Sequence, residues 1–265
     1  FELLIHDDAS TDGTADIIRE YEKKYPDIIK PIYQTENQFS KGIKRIGATF
    51  NVGRAKGKYI ATCEGDDYWT DHNKLQKQFD YMEENPTCSA CFHKAKKVTT
   101  DNRFMWLYLG PYGKGDRVFT IKDAGGIFFP TASKMYRREL LMNLPDWYFW
   151  EEAGDFPTQL LLLSKGYFYY IDEVMSVYRV GVPGSSNQRL KEKSKEEKIG
   201  YYNGRIKILD AFQGFMQNEH KDSIDRIKVQ YKIQMILLEE KIKDRLSLLN
   251  RMRIQGELNL IEAPL

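Results

Sequence analysis

The chain has 265 residues, of which 42% are hydrophobic and 29% charged, with a net charge of +2. That length accommodates one large domain or two small ones, and that balance excludes global disorder and any overall electrostatic pull toward nucleic acid. No apolar run is long enough to span a bilayer, no secretory signal opens the sequence, and three cysteines without a disulfide framework suit a reducing compartment.

Residues 1–5 (FELLI) predict a strand that ends in His6-Asp7-Asp8, so two carboxylates arrive at its C-terminal end. The next six residues, Ala9-Ser10-Thr11-Asp12-Gly13-Thr14, are turn and capping types. A helix follows, with Ile17, Ile18, Tyr21 and Tyr25 at helical spacing and Pro26 as its stop. Residues 28–33 read as a strand, 34–42 as a polar loop and 43–55 as a helix that ends at Lys56-Gly57. The run 59–63 (YIATC), bounded by Gly57-Lys58 and Gly65, is a third strand leading straight into Glu64, Asp66 and Asp67. A helix with the stripe Leu75, Phe79, Met82 and a strand over 89–98 complete a β-α-β-α-β-α-β pattern. Such alternation predicts a mostly parallel sheet flanked by helices.

Three carboxylates within four positions repel one another, and a divalent cation with oxygen ligands relieves that repulsion. The competing reading is a solvated acidic turn that caps the next helix, with Thr70 or Asp71 as N-cap. Cys88-x-x-Cys91 followed by His93 resembles half of a zinc site, but no second ligand pair accompanies it, and a plain strand is the better reading. The high aromatic content, 13%, fits core filling, with stacking on a sugar or base as a second use.

Residues 101–130 are irregular, punctuated by Gly110-Pro111-Tyr112-Gly113 and Gly125-Gly126. A strand is predicted over 127–136 and a short helix over 137–144. Residues 145–157 then set Glu151, Glu152 and Asp155 among Trp147, Tyr148, Phe149 and Trp150, ahead of a helix over 158–163. Residues 166–180 read as one or two strands and 181–187 as a flexible loop. From residue 189 the pattern is helical: Ile199, Tyr202, Ile206 and Leu209, then Ile224, Ile227, Tyr231, Met235, Leu238 and Ile242, predict two long helices joined near Asn218-Glu219-His220. They suit either a short coiled coil, which would pair two copies, or a hairpin packed on the rest. Lys241, Lys243, Arg245, Arg251 and Arg253 form either a contact for an anionic membrane surface or a solvated helix face.

Asp7-Asp8-Ala9-Ser10-Thr11-Asp12-Gly13-Thr14, Ala55-Lys56-Gly57-Lys58-Tyr59-Ile60, Glu64-Gly65-Asp66-Asp67 and Gly154-Asp155, in this order, resemble the family 2 glycosyltransferases of the GT-A fold. The resemblance implies a GT-A domain over residues 1–188, Rossmann-like with a mostly parallel sheet, and an α-helical extension over 189–265. It implies an inverting, metal-dependent transfer of a sugar from a nucleotide diphosphate, expected to be a UDP-sugar, to a glycan or lipid-linked acceptor in cell-surface polysaccharide synthesis. Asp8, supported by Asp7, matches the aspartate that binds the nucleotide base, and Asp66 the acid near ribose and metal. Asp67, with Asp66 and Glu64, matches the holder of Mn²⁺ or Mg²⁺. Asp155 matches the catalytic base, with Glu151 and Glu152 as rival bases. Trp147, Trp150 and Glu151 are the expected acceptor contacts; the aromatics 147–150 either raise the Asp155 pKa by limiting hydration or form the acceptor floor. The implied location is the cytoplasm, peripheral to the inner face of the membrane.

Two departures from the family pattern stand out. The chain opens at what corresponds to the family's second strand, so the neighbours of a central strand are expected to expose unpaired backbone. Phe50 and Val182 stand near places where many members carry an arginine and a histidine; Lys44, Arg45, Arg54 and Arg179 are the alternative partners for a diphosphate. Two other functions remain open at this level: a nucleotidyltransferase, which would carry a Gly-rich, Arg-containing loop after its first strand, and a non-catalytic nucleotide-sugar-binding scaffold.

Overall fold

The FELLI run becomes β1 (Leu3–Asp7), joined through α1 (Thr14–Lys24) to β2 (Ile29–Tyr33). The two strands pair in parallel, Leu3 opposite Ile29 through Asp7 opposite Tyr33. This is a computed structural model, and it describes residues 1–109, 114–125, 129–151, 154–182, 184–239 and 242–254. The β1–β2 pair forms its own small sheet, hydrogen-bonded to no other strand among the described residues. Side chains occupy part of the open edge of β1. They come from α2 (Ile46–Phe50) and the 3₁₀ turn Val52–Arg54 that follows it. Asn51 Nδ2 donates to the outward Leu4 carbonyl at 3.4 Å, and Arg54 Nη2 donates at 3.1 Å to the Ile5 carbonyl, which itself faces β2. An outward carbonyl such as that of Leu4 needs such a partner when no strand supplies one.

The YIATC run yields β3 (Tyr59–Ala61), followed by the short β4 (Tyr68–Trp69), α3 (Lys74–Glu84) and the long β5 (Cys88–Thr99). Next come β6 (Phe104–Leu109), β7 (Arg117–Phe119), β8 (Met135–Arg137), α4 (Asp155–Leu163) and β9 (Tyr167–Val180). These strands build a seven-stranded sheet in the order β3-β8-β5-β9-β4, with β6 beside β5 and β7 beside β9. The α/β class with flanking helices stands, but the strand directions are mixed. Within this sheet only β5 and β9 run parallel; β3–β8, β5–β8, β5–β6, β4–β9 and β7–β9 are antiparallel. A short link such as that between β5 and β6 permits only an antiparallel return, whereas α4 leads into β9, the strand that lies parallel to β5.

Residues 131–133 of the predicted strand form a 3₁₀ turn (Thr131–Ser133), and only Met135–Arg137 pair as a strand. The short helix expected over 137–144 is a 3₁₀ turn, Arg138–Leu141. Cys88, Cys91 and His93 are buried along β5 as core residues, with free thiols, and His93 Nδ1 lies 2.9 Å from the Lys94 carbonyl. Burial holds His93 neutral, its pKa lowered to about 3.

One face of the sheet carries a cluster of Phe92, Phe119, Phe129, Phe168 and Tyr170 beneath Phe156 and Leu160–Leu163 of α4. The other face packs Cys91, Met135 and Met175 against Met82 of α3. The fully buried residues of α3 are Lys74, Gln78 and Met82; of the expected stripe, Met82 is core, Leu75 packs partly buried against the same cluster, and Phe79 is 41% exposed. Polar residues win these positions because they find partners: Gln78 Nε2 donates to the Cys91 and Ser133 carbonyls at 3.1 and 2.8 Å.

After α5 (Ser186–Glu192), a capping box of Ser194 and Glu197 starts α6 (Lys195–Phe215); α7 (Lys221–Leu237) and α8 (Ile242–Ile254) complete the described chain. The bend between α6 and α7 falls where Gln217, Asn218 and His220 take left-handed backbone angles. Ile208, Leu209 and Phe212 of α6 and Ile224 and Ile227 of α7 join the same cluster as Phe92, so this helical hairpin packs on the sheet domain. No helix among the described residues is long and apolar enough to cross a membrane. The predicted features at residues 110–113, 126, 127 and 183, together with Glu152 and Lys241, lie outside the described residues.

Candidate active site

The site begins where β3 stops. Thr62, the next residue but one after Ile60, is tied to the turn 131–134: its N–H donates to the Lys134 carbonyl at 3.3 Å and its hydroxyl to the Thr131 carbonyl at 2.8 Å. The chain then folds tightly, the Asp67 N–H donating to the Glu64 carbonyl at 3.1 Å. This brings one carboxylate oxygen each from Glu64, Asp66 and Asp67 to within 4.8 Å of one another. Asp67 Oδ1 accepts from the Arg179 N–H at the end of β9, 2.9 Å away, while Oδ2 is buried with no partner.

That crowding raises proton affinity. Glu64 lies open to the groove, yet the protein around it limits hydration; desolvation first, then repulsion from Asp155, Asp66 and Asp67, pushes its pKa up to about 7. Burial, with Asp66 alongside, pushes Asp67 up to about 6 despite the Arg179 hydrogen bond. Three hard oxygen donors, one of them orphaned, fit a divalent cation such as Mn²⁺ or Mg²⁺. A cation there would reverse both shifts.

Asp155 is the first residue of α4, where helix N–H groups favour negative charge. Lys134 Nζ sits 2.6 Å from its Oδ1, and the Thr131 hydroxyl donates to the same oxygen at 3.2 Å and lies 3.5 Å from Oδ2. Its side chain is half exposed. Desolvation pushes its pKa up, but Lys134 and the Thr131 hydroxyl outweigh that and leave it below the ordinary value. This corrects the raised-pKa alternative: a lysine, unread in the sequence, dominates over the aromatic setting. Glu64, Asp66, Asp67 and Asp155 lie together around Tyr178, whose pKa burial and these four charges push up to about 12.

The expected acceptor residues divide. Trp147 is 4% exposed and packs edge-on against Phe212 and Phe215 of α6 at 5.4 and 5.8 Å, so it is core. Glu151 is buried and ion-paired to Arg205 of α6 at 2.9 Å, and its carbonyl accepts from Arg45 Nε and Nη2 at 3.2 Å each. Neither faces the groove, because α6 covers them. Trp150 and Phe149 remain exposed.

Asp7 and Asp8 stand at the end of β1; Asp7 Oδ2 accepts from the Ser10 N–H at 3.4 Å, and the Asp8 carboxylate is bound by the loop after β2. Asp8 Oδ1 accepts from the Gln38 N–H at 2.8 Å and Oδ2 from the Phe39 N–H at 3.0 Å. Its remaining lone pairs can still accept from a base. Asp7 is buried, with Oδ1 unpartnered, and the turn between them and the helix is tight: Ala9 has a φ of 60°. Of the candidate diphosphate partners, Arg54 is spent on β1 and Arg45 stacks on Tyr148 at 4.1 Å. Phe50 stacks on His6 at 4.3 Å, and Lys44 is exposed. Arg179 lies beside Asp67 and 5.2 Å over the Tyr68 ring, with Nε buried and unpartnered, which makes it the cation nearest the acidic turn of those four.

A mixed α/β sheet with flanking helices, an acidic turn at a strand end and a C-terminal helical hairpin is consistent with the GT-A class. The Glycosyl transferase family 2 model matches residues 1–144, more than half of the chain, and the chain belongs to that family. It is 30% identical over 221 residues to the putative teichuronic acid biosynthesis glycosyltransferase TuaG of Bacillus subtilis, a match covering 82% of each protein. It is 42% identical over 104 residues to the uncharacterized protein Rv1520 of Mycobacterium tuberculosis, covering 38% of this chain and 28% of that protein. The chain thus spans less than a third of the mycobacterial relatives it matches. A shorter stretch of 85 residues is 34% identical to the poly(ribitol-phosphate) beta-glucosyltransferase of Bacillus spizizenii, 32% of this chain and 13% of that one.

Proposed function

We propose that the protein is an inverting, metal-dependent glycosyltransferase that moves a sugar from a UDP-sugar to a glycan or lipid-linked acceptor in cell-surface polysaccharide synthesis. The observation that carries this reading is the acidic turn Glu64–Asp66–Asp67, with its buried unpartnered oxygen, set beside a separate carboxylate, Asp155, held ionised by Lys134. The polysaccharide setting rests on relatives named for teichuronic acid and poly(ribitol-phosphate).

Glu64, Asp66 and Asp67 would hold Mn²⁺ or Mg²⁺, which when bound neutralises charge on the leaving diphosphate. Asp8 accepts the imide N–H of the base, with Asp7 beneath it, and Arg179 adds positive charge near the diphosphate. Asp155 takes the proton of the acceptor hydroxyl while that oxygen bonds to the anomeric carbon; the bond from that carbon to the diphosphate oxygen breaks, and its electron pair leaves with UDP. The exposed faces of Trp150 and Phe149 give the acceptor ring a stacking surface.

The test is calorimetric titration of UDP with and without Mn²⁺, repeated on Asp8→Ala and Asp67→Ala. Binding that requires Mn²⁺ and is lost in both variants is expected. Undiminished Mn²⁺-dependent binding by Asp67→Ala would remove the metal assignment.

A further inference from the structure

We infer that Lys134 and Thr131 form a rigid cradle that positions the Asp155 carboxylate, fixing Oδ1 and presenting Oδ2 to the acceptor. This rests on the role of Asp155 proposed above. The turn that carries both residues is fastened from three sides. Thr62, at the end of β3, binds the Thr131 and Lys134 carbonyls. Trp69 Nε1 of β4 donates to the Ala132 carbonyl at 2.8 Å, and Gln78 of α3 donates to the Ser133 carbonyl at 2.8 Å. The Ser133 hydroxyl closes the turn onto the Pro130 carbonyl at 2.7 Å. The strand end that delivers the acidic turn therefore also locates the cradle.

The asymmetry of the ion pair is the telling feature. The Lys134 side chain is 9% exposed, whereas that of Asp155 is 50% exposed. An ordinary surface ion pair leaves both partners wet and contributes little. Burying an ammonium costs free energy that only a well-placed partner offsets, so a buried lysine aimed at the carboxylate of a half-exposed side chain fixes that carboxylate in direction as well as charge. Oδ1 takes Lys134 at 2.6 Å and Thr131 at 3.2 Å; among the described residues Oδ2 has only the 3.5 Å approach of Thr131. Oδ2 is thus the oxygen with capacity for a proton. The other charged groups that influence Asp155 are Glu64 from the acidic turn, Arg205 from α6 and Arg45 from the segment before α2. Of these cations, Arg205 is committed to Glu151 and Arg45 to the Glu151 carbonyl, which leaves Lys134 as the one that touches Asp155. Lys134 is then a positioning residue, and its removal should lower turnover while leaving donor binding intact.

The experiment measures Mn²⁺-dependent UDP release from UDP-glucose, UDP-galactose and UDP-N-acetylglucosamine by the full chain, with water as acceptor. It compares wild type with Lys134→Met, Lys134→Arg, Thr131→Val and Asp155→Asn. For Lys134→Met we expect kcat to fall about 10- to 100-fold, as misplacement of a reacting group does, with the donor KM unchanged. Lys134→Arg should recover most of that loss, and Thr131→Val should give a smaller drop. A Lys134→Met variant that raises donor KM without lowering kcat would assign Lys134 to the diphosphate instead and overturn the cradle. Full turnover by Lys134→Met beside an inactive Asp155→Asn also overturns it, while leaving Asp155 as the base. An active Asp155→Asn overturns the base itself and the cradle with it. If wild type releases UDP from none of the three donors, crystal structures of wild type and Lys134→Met decide: Asp155 swung away from Thr131 in the variant supports the cradle, and an unmoved Asp155 refutes it.

Discussion

Replacing Lys74 by methionine is expected to stabilise the protein at neutral pH. Lys74 opens α3 with 1% exposure. Its ammonium donates to Gln78 Oε1 at 2.8 Å and lies 4.2 Å over the Trp69 ring, and no carboxylate pairs with it among the described residues. Burial lowers its pKa from 10.5 to about 8, with the nearby Cys63 and Cys91 pulling weakly the other way. Between those values the unfolded chain holds a proton that the folded one has released, so stability rises with pH through this window. Below about pH 8 the folded protein bears the full cost of the buried charge. At about 1.4 kcal/mol per tenfold change in proton affinity, that cost is roughly 3 kcal/mol. Methionine removes it and keeps the apolar packing, but leaves the buried Gln78 Oε1 without its donor at a cost of about 1–3 kcal/mol, for a net gain of about 1 kcal/mol at pH 7. Above the ordinary lysine pKa both forms are neutral and the gain should vanish. Urea unfolding of both proteins at pH 7, 9 and 10.5 measures the difference. A variant less stable at pH 7, or a difference that does not change across that range, would refute the buried ammonium as its cause.

At the proposed metal site, proton uptake by the acidic turn competes with the cation. With Glu64 at about 7 and Asp67 at about 6, protons compete below those values, so Mn²⁺-dependent UDP affinity should fall by at least a hundredfold from pH 8 to pH 5. Calorimetry across that range checks it, and a flat profile counts against the ligand set. Arg205→Met should destabilise the fold by about 3–5 kcal/mol, because it strands the buried Glu151 carboxylate. The double variant with Glu151→Met should recover most of the loss in denaturant unfolding, and simple addition of the two effects would contradict the pairing.

The elements that sequence pattern exposes here are those whose residue types have few alternatives. Apolar runs cut off by glycine and acid, FELLI before His6-Asp7-Asp8 and YIATC before Glu64, gave strands because a stretch of that composition has little other way to bury itself. The α6–α7 hairpin was readable from its apolar spacing and the polar residues at its bend. Strand direction was not, because it depends on which neighbour a strand meets. β8 lies between β3 and β5, two strands that precede it by many residues, and nothing in residues 135–137 records that. The α3 stripe misled in part for a related reason: Gln78 is buried because the Cys91 and Ser133 carbonyls await it, and those partners are remote in sequence.

The same distinction governs the site. Carboxylates massed in four positions are conspicuous in any sequence, since only a ligand or solvent makes such a cluster tolerable. Lys134, in contrast, sits in Thr131-Ala132-Ser133-Lys134, a stretch with no unusual composition, and its importance comes from being buried against Asp155 twenty-one positions later. Trp147 and Glu151 made the opposite error possible. They look like acceptor contacts by residue type, yet α6, from the helical part of the chain, covers both. A residue's type shows what chemistry it can perform; whether it faces substrate, a charge partner or the core is decided by elements that reach it from elsewhere. For this chain that difference separates the acidic turn, proposed as a metal site from the sequence alone, from the Lys134–Asp155 contact, which needed the fold.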